Sequence, residues 1–411
     1  MRRVAVTGMG IVSPIGNSIA AYGAALKAGT CGIGPITHFD ASRLKVHVAA
    51  EVKDFDPLVA MEKTEVRRCD LYTRYALVAA HEAMAMAGLE NPDPERFGVY
   101  VGSGIGGITT LVAEDQKLMS AGPSRVSPFL VPMMIGNMAA GHIAMRYKAQ
   151  GPCLPVVTAC ATSTHAIGEA FRAIGHGYAD VIIAGGAEAP IIELAMAGFQ
   201  SAMALSLSED PAAASLPFDK RREGFVMAEG AGILILEEWE HAVKRGADIL
   251  CEVTGYGTTC DAHHITAPLP DGSCAARAIR DAAQQAGIQA GPDLYINTHG
   301  TGTQLNDKTE TLAIKLALGD GAYDTRASST KAMTGHMLGA AGAAEAIACI
   351  LALRDGFVPP TIHLLEPDPE CDLDYTPNTM VTAGLRHALT TSLGFGGHNA
   401  CLAFSRREGT L

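Results

Sequence analysis

Charge is scarce in this 411-residue sequence: Asp, Glu, Lys and Arg together make up 18% of it, and their balance leaves a net charge of −12. So acidic a chain is not a general nucleic-acid binder, and an acidic partner has to find a local basic patch on it. No apolar run reaches the roughly 20 residues needed to cross a bilayer, so membrane insertion is not expected. The opening Met1-Arg2-Arg3 ahead of VAVTGMGIV has the charge order of a signal peptide, but Thr7, Gly8, Gly10 and Pro14 interrupt it; a first β-strand is the expectation. The ten cysteines form no C-x-x-C pair and no zinc spacing, and the adjacent His263 and His264 diverge. Scattered unpaired thiols are the pattern of a reduced, cytoplasmic protein.

What is abundant is small and apolar. Hydrophobic residues make up 48% of the chain and glycine contributes 45 residues, which points to an α/β protein with buried strands and many tight turns. Strands are expected at RRVAVTGMGIVSP, FGVYVGSG (97–104), ADVIIAGGAE (179–188) and AGILILEE (231–238). Helices are expected at Ser18 to Lys27 and Glu62 to Gly88. Residues 105 to 150 read as a long Met- and Pro-containing segment. A second series begins near Cys251, with strand-like CEVTGYG, LYINTHG, HALTTSLGFGG and HNACLAFS. Helices at 275–286, 309–318 and 339–354 lie between them. Strands and helices alternating twice predict two packed halves, 1–250 and 251–411, in one rigid body. Identity between the halves is too weak to prove a duplication.

The stretch LPVVTACATSTHAIGEAFRAIGHG (154–177) stands out. Leu154 to Ala159 reads as a buried strand and Ser163 to Gly175 as a helix, which puts Cys160 at a strand-to-helix turn. There the helix N-terminus should favour thiolate, the form that attacks carbonyl carbon. NTHGTGTQLNDKTE places His299 on a loop where a strand ends, STKAMTGHMLGAAGAAE places His336 before a helix, and TSLGFGGHN surrounds Phe395 with glycines that let a backbone N–H approach a bound oxygen.

In this order, VVTACATSTHAIG, NTHGTGT with DKTE, SSTKAMTGHMLGAAGA and LGFGGHN resemble the β-ketoacyl-[acyl-carrier-protein] synthases of the elongating type, the synthase II branch most closely. Supporting matches are VAVTGMGIVSPIGN, VGSGIGG, VSPFLVP, ADVIIAGGAEAP, FDKRREGFVMAEGAG and ALRDGFVPPTIHL. The resemblance implies a duplicated thiolase fold of five layers, α-β-α-β-α, in a homodimer. It implies an acyltransferase of fatty acid biosynthesis that condenses malonyl carrier protein with an acyl group held on Cys160, releasing carbon dioxide.

Such chemistry needs a nucleophile, an oxyanion site and donors for an enolate. The resemblance gives Cys160 the acyl group, the N–H groups of Cys160 and Phe395 the thioester oxyanion, and His299 and His336 the malonyl carbonyl; which imidazole also handles a proton stays open. Lys331, Glu310 and Asp307 match charged positions, with Lys331 disfavouring imidazole protonation and Glu310 balancing it. Thr301 and Thr303 would meet the pantetheine arm, and Phe395 would gate an acyl pocket faced by Ile105. No cofactor is required beyond the 4'-phosphopantetheine carried by the acyl carrier protein. Family members often hold a structural monovalent or divalent cation near residues matching Asn297, Glu345 and Ser392. The acidic carrier would dock on Lys63, Arg67, Arg68 and Arg125, with Lys220, Arg221 and Arg222 as further cations.

The sequence departs from the family pattern at Thr391 and Leu393, where Asn and Phe are common, at His398 in place of Thr, and in the Met-rich MAGFQSAMALS. A ketosynthase subunit of a dissociated type II polyketide synthase shares every catalytic residue and is the main alternative. A thiolase would need a second catalytic Cys, and Cys401 falls within a strand; a chain-length factor would lack Cys160; the starter-specific synthases use Asn where this chain has His336.

Overall fold

The computed structural model describes residues 1–407. Nine strands form one twisted sheet: β1 (Val4–Val12), β2 (Phe97–Gly102), β3 (Val181–Glu188), β4 (Gly230–Glu238), β5 (Cys251–Cys260), β6 (Leu294–Asn297), β7 (Arg326–Ser328), β8 (His387–Gly394) and β9 (His398–Ser405). Their order across the sheet is β2-β3-β4-β1-β5-β9-β8-β6-β7. The first four strands run 2-3-4-1, with β2 and β3 parallel and the next two pairings antiparallel. β6, β8, β9 and β5 repeat that order and those senses. The two series meet at a short antiparallel seam, Val4 to Val6 against Cys251 to Val253.

Helices complete five layers around the two series. Helix α1 (Leu71–Ala87) covers the outer face of β1, β3 and β4. Helix α2 (Thr162–Gly175) and helix α5 (Ala341–Asp355) are sandwiched between the series, and α5 is buried over nearly its whole length. Helix α3 (Ser273–Ala286) covers β5 and β9 on the far side, and α4 (Gln304–Leu318) packs on α3. The expected thiolase architecture is therefore present.

A packing device recurs in both halves. A Cβ on Gly10 of β1 would lie 1.9 Å from the Ala79 carbonyl oxygen of α1, and one on Gly257 of β5 would lie 1.9 Å from the Ala278 carbonyl oxygen of α3. Both glycines close a V-T-G-x-G run, Val6–Gly10 and Val253–Gly257. Glycine at these points lets helix backbone rest directly on sheet backbone, and the run is a trace of repetition that overall identity between the halves conceals.

Two expectations fail, and one stretch with no assigned element proves helical. Leu154 to Thr158 joins no strand, and Ala159 already opens a 3-10 turn; the segment leaves the Val99–Cys153 bridge beside β2 with Leu154 and Val157 more than half exposed. The helix read over 62–88 is broken, because Asp70 accepts the N–H of Tyr72 and both donors of Thr110, so α1 starts there and only a short turn, Lys63–Val66, precedes it. The Met- and Pro-containing segment holds helices Ile108–Ala121, Leu130–Met134 and Met138–Tyr147.

Candidate active site

Cys160 lies in a 3-10 turn, Ala159–Ala161, that runs straight into α2. Ala159 takes a left-handed φ of 50°, a conformation that costs an alanine energy and sharpens the turn. The turn between β8 and β9 presses against it: a Cβ on Gly394 would lie 2.7 Å from the Thr158 carbonyl oxygen and 3.3 Å from the Cys160 nitrogen. This approach brings the N–H groups of Phe395 and Cys160 to the Cys160 sulfur.

Cys160 is 8% exposed, and burial pushes its thiol up to about 12, against the lowering influence of Lys331 and of the two N–H groups; Glu188 adds to the rise. The helix start is expected to favour thiolate; here loss of water outweighs the N–H groups and Lys331, and the Cys160 thiol is held above its usual range.

Cys160, His299, His336, Phe395, Thr301 and Thr303 line one cavity of about 350 Å³. His299 follows β6, and its backbone N–H donates to Glu310 Oε1 at 2.7 Å and to Thr391 Oγ1 at 3.0 Å. His336 is fixed by backbone bonds on both sides, its N–H to Val226 and its carbonyl to the Ala228 N–H. The two rings meet edge to face with centroids 5.3 Å apart. Burial, then Lys331, hold both imidazoles well below their usual range, so both are neutral. Nδ1 of each is buried without a partner. An N–H there would lack an acceptor, whereas a lone pair is favoured by the Lys331 charge, so the ring proton belongs on Nε2.

Lys331 and Glu310 stand behind the cavity wall. Lys331 is 1% exposed, and its ammonium pairs with Glu345, not with Glu310. Burial raises Glu345 to about 7 against the lowering effect of Lys331, with Glu310 adding to the rise. Glu310 instead accepts the N–H groups of His299 and Gly300 and the Thr391 hydroxyl, a scaffold for the His299 loop. Thr391, a departure from the family pattern, thereby keeps a structural bond. Thr301 and Thr303 face each other with hydroxyl oxygens 3.1 Å apart. Asn297 Oδ1 and Glu345 Oε2 are buried without partners, while Ser392 Oγ is 2.6 Å from Thr164 Oγ1.

Sequence reasoning missed Glu188, whose buried carboxylate accepts from Ser103 Oγ and from the N–H groups of Gly104, Ile105 and Gly339. It ties the loop bearing Ile105 to the one that follows His336; a lone acidic residue ending an apolar strand was the only signal. Ile105 itself is partly exposed and does not line the Cys160 cavity. Lys63, Arg67, Arg68 and Arg125 are exposed, with Arg68 over the Phe129 ring at 5.1 Å. Arg222 is buried among acidic groups and cannot serve as a docking cation.

Residues 1–242 match the model of the β-ketoacyl synthase N-terminal domain, and residues 250–365 that of the C-terminal domain. The chain belongs to the β-ketoacyl synthase family. It is 50% identical over 410 residues to a 3-oxoacyl-[acyl-carrier-protein] synthase 2 of Synechocystis, covering 99% of each chain. Among solved structures it resembles the ishigamide ketosynthase/chain length factor at 38% identity and a TM-score of 0.92, with 99% of each chain covered. It also resembles a type II polyketide ketosynthase solved with its acyl-carrier protein and a hexaketide, at 34% identity and a TM-score of 0.90, covering 99% of this chain and 100% of that one. The family's reaction is acyl transfer with carbon–carbon bond formation, and Cys160, His299, His336 and Phe395 meet in one cavity of this chain.

Proposed function

We propose that the chain elongates fatty acyl groups by decarboxylative condensation with malonyl carrier protein. The observation that carries the reading is the convergence of one buried thiol, two neutral imidazoles and two backbone N–H donors on a single cavity. Cys160 attacks the acyl thioester carbonyl; the N–H groups of Cys160 and Phe395 hold the oxyanion, and the carrier's sulfur leaves with the thiol proton. Nε2–H of His299 and of His336 then donate to the malonyl thioester oxygen. As the C–C bond to the carboxylate breaks, carbon dioxide leaves and the electron pair becomes an enolate held by both donors. The enolate carbon attacks the acyl carbonyl on Cys160, and the Cys160 sulfur leaves as thiolate and takes a proton from water, which restores the starting thiol. Burial, reinforced by Lys331, keeps the imidazoles neutral, so each presents one donor and no net charge.

Phe395, whose ring centroid lies 6.4 Å from that of Phe199, gates the acyl pocket from the β8–β9 turn, whereas Ile105, exposed and outside the cavity lining, has no part in that gate in this chain. Thr301 and Thr303 bind the amide groups of the pantetheine arm, and Lys63, Arg67, Arg68 and Arg125 receive the acidic carrier. A hard cation fits the two orphan oxygens, Asn297 Oδ1 and Glu345 Oε2, better than Ser392, which is already bonded; it would balance buried charge and make no bond to substrate. The halves divide at 250/251. The enzyme is cytoplasmic and a homodimer, the copies meeting at the exposed apolar edge of Leu154 and Val157 beside β2, a flank otherwise open to aggregation.

The test is carbon dioxide release and product analysis with malonyl and acyl carrier protein. The reading expects stoichiometric β-ketoacyl thioester from wild type, none from Cys160→Ala, and no decarboxylation by His299→Ala. The resemblance to polyketide ketosynthases keeps a second reading alive, a type II polyketide subunit: that one expects turnover only when a homologous partner chain is added.

A further inference from the structure

Three consecutive cations, Lys220, Arg221 and Arg222, meet different fates. The first two are exposed, whereas Arg222 is 2% exposed. Its guanidinium is spent on the loop that lines one wall of the cavity: Nε donates to the Thr303 carbonyl at 3.3 Å and Nη2 to the Gln304 carbonyl at 3.2 Å. Nη1 donates to Asp368 Oδ2 at 2.6 Å and to the Asp219 carbonyl at 2.9 Å. The Gln304 amide returns a bond to the Arg222 carbonyl. Asp307, fully buried, sits 3.7 Å from Arg222 Nε and accepts the N–H groups of Gly302 and Phe218. Segments 218–222 and 302–307 are therefore locked from both sides, and the locked loop carries the two threonine hydroxyls that face the cavity.

We propose that Arg222 is a positioning residue for substrate: it sets the Thr301–Gln304 loop so that both hydroxyls meet the pantetheine arm. The proposal rests on the carrier-thioester reading above. Only a planar fork reaches two adjacent carbonyls and a carboxylate at once, and a lysine ammonium, a single point of charge, does not span them. Arg222 touches neither Cys160 nor the histidines, so its loss disturbs recognition of the arm and leaves the nucleophile as it was.

The experiment compares Arg222→Lys with wild type on two acyl donors, a carrier-borne thioester and a short alkyl thioester lacking the pantetheine amides, together with iodoacetamide labelling of Cys160. The expected result is a KM for the carrier-borne donors raised about tenfold with kcat nearly held, while acylation by the short thioester and labelling stay within about twofold. Replacing Thr301 and Thr303 with valine should raise the same KM, and adding Arg222→Lys to that variant should add little. Equal losses on both donors, or effects that simply multiply, overturn the proposal. If Arg222→Lys does not fold, Asp368→Asn removes one anchor from the solvent side; an unchanged KM there also overturns it. Failure of the functional reading shows differently: wild-type Cys160 then accepts no acyl group from either donor, and the proposal falls with it.

Discussion

Replacing Glu310 with Gln separates the two chemical steps. Oε1 of Glu310 takes the His299 N–H at 2.7 Å and the Thr391 hydroxyl at 2.6 Å, and Oε2 takes the Gly300 N–H at 2.7 Å. A glutamine of the same shape keeps one acceptor oxygen and turns an NH2 toward a backbone N–H, so at least one buried donor of the His299 loop loses its charged partner. That costs about 1–3 kcal/mol of stability, read as a lower urea midpoint. The displaced loop carries His299 but not Cys160 or Phe395. Loss of about 1.4–2.8 kcal/mol of enolate stabilisation lowers malonyl decarboxylation about 10- to 100-fold. Acylation of Cys160, followed by intact-protein mass, should stay within about twofold of wild type, because its oxyanion donors are untouched. Equal losses in both steps, or undiminished decarboxylation, would refute the division of labour between Cys160 and the histidines.

Further outcomes follow from the same geometry. The Cys160 thiol, pushed to about 12 by burial, should react with iodoacetamide at a rate that keeps climbing through pH 10; a plateau near neutrality would mean a resting thiolate. Lys331 adds to the lowering of both imidazoles, so the paired variant Lys331→Met with Glu345→Gln, which removes both members of that ion pair together, should move the acid limb of decarboxylation to higher pH. An unmoved limb would show that Lys331 does not keep the histidines neutral. Gly10→Ala and Gly257→Ala each force a Cβ to within 1.9 Å of helix backbone and should cost about 1–3 kcal/mol or more, seen as matching drops in the denaturant midpoint.

Much of this site was legible because its residues are spaced along strand ends and glycine-rich loops. Cys160 at a turn, His299 after β6, and Phe395 in a hairpin all follow from local pattern, and the order of motifs supplied the fold. What stayed hidden depends on long-range contact. Leu154 to Ala159 looked like a core strand because it is apolar, but Leu154 and Val157 are exposed beside a sheet edge and only Val156 packs against the core. The break at Asp70 depends on Thr110, 40 positions away. Lys331 selects Glu345 over Glu310 through the packing of α5, and Arg222 is indistinguishable from its two exposed neighbours until segment 302–307 folds over it. The Cys160 thiol was misjudged for a similar reason: helix position is local, whereas burial is a property of the whole fold.

The central claim is that Cys160 carries the growing chain between two substrates. It is tested most directly by intact-protein mass spectrometry of wild type and Cys160→Ala after incubation with acyl carrier-protein thioester, followed by a chase with malonyl carrier protein. The account predicts one acyl adduct, mapped to Cys160 and absent from the variant, which disappears in the chase as a β-ketoacyl thioester two carbons longer. An adduct on another residue, or one that survives the chase unchanged, would contradict it.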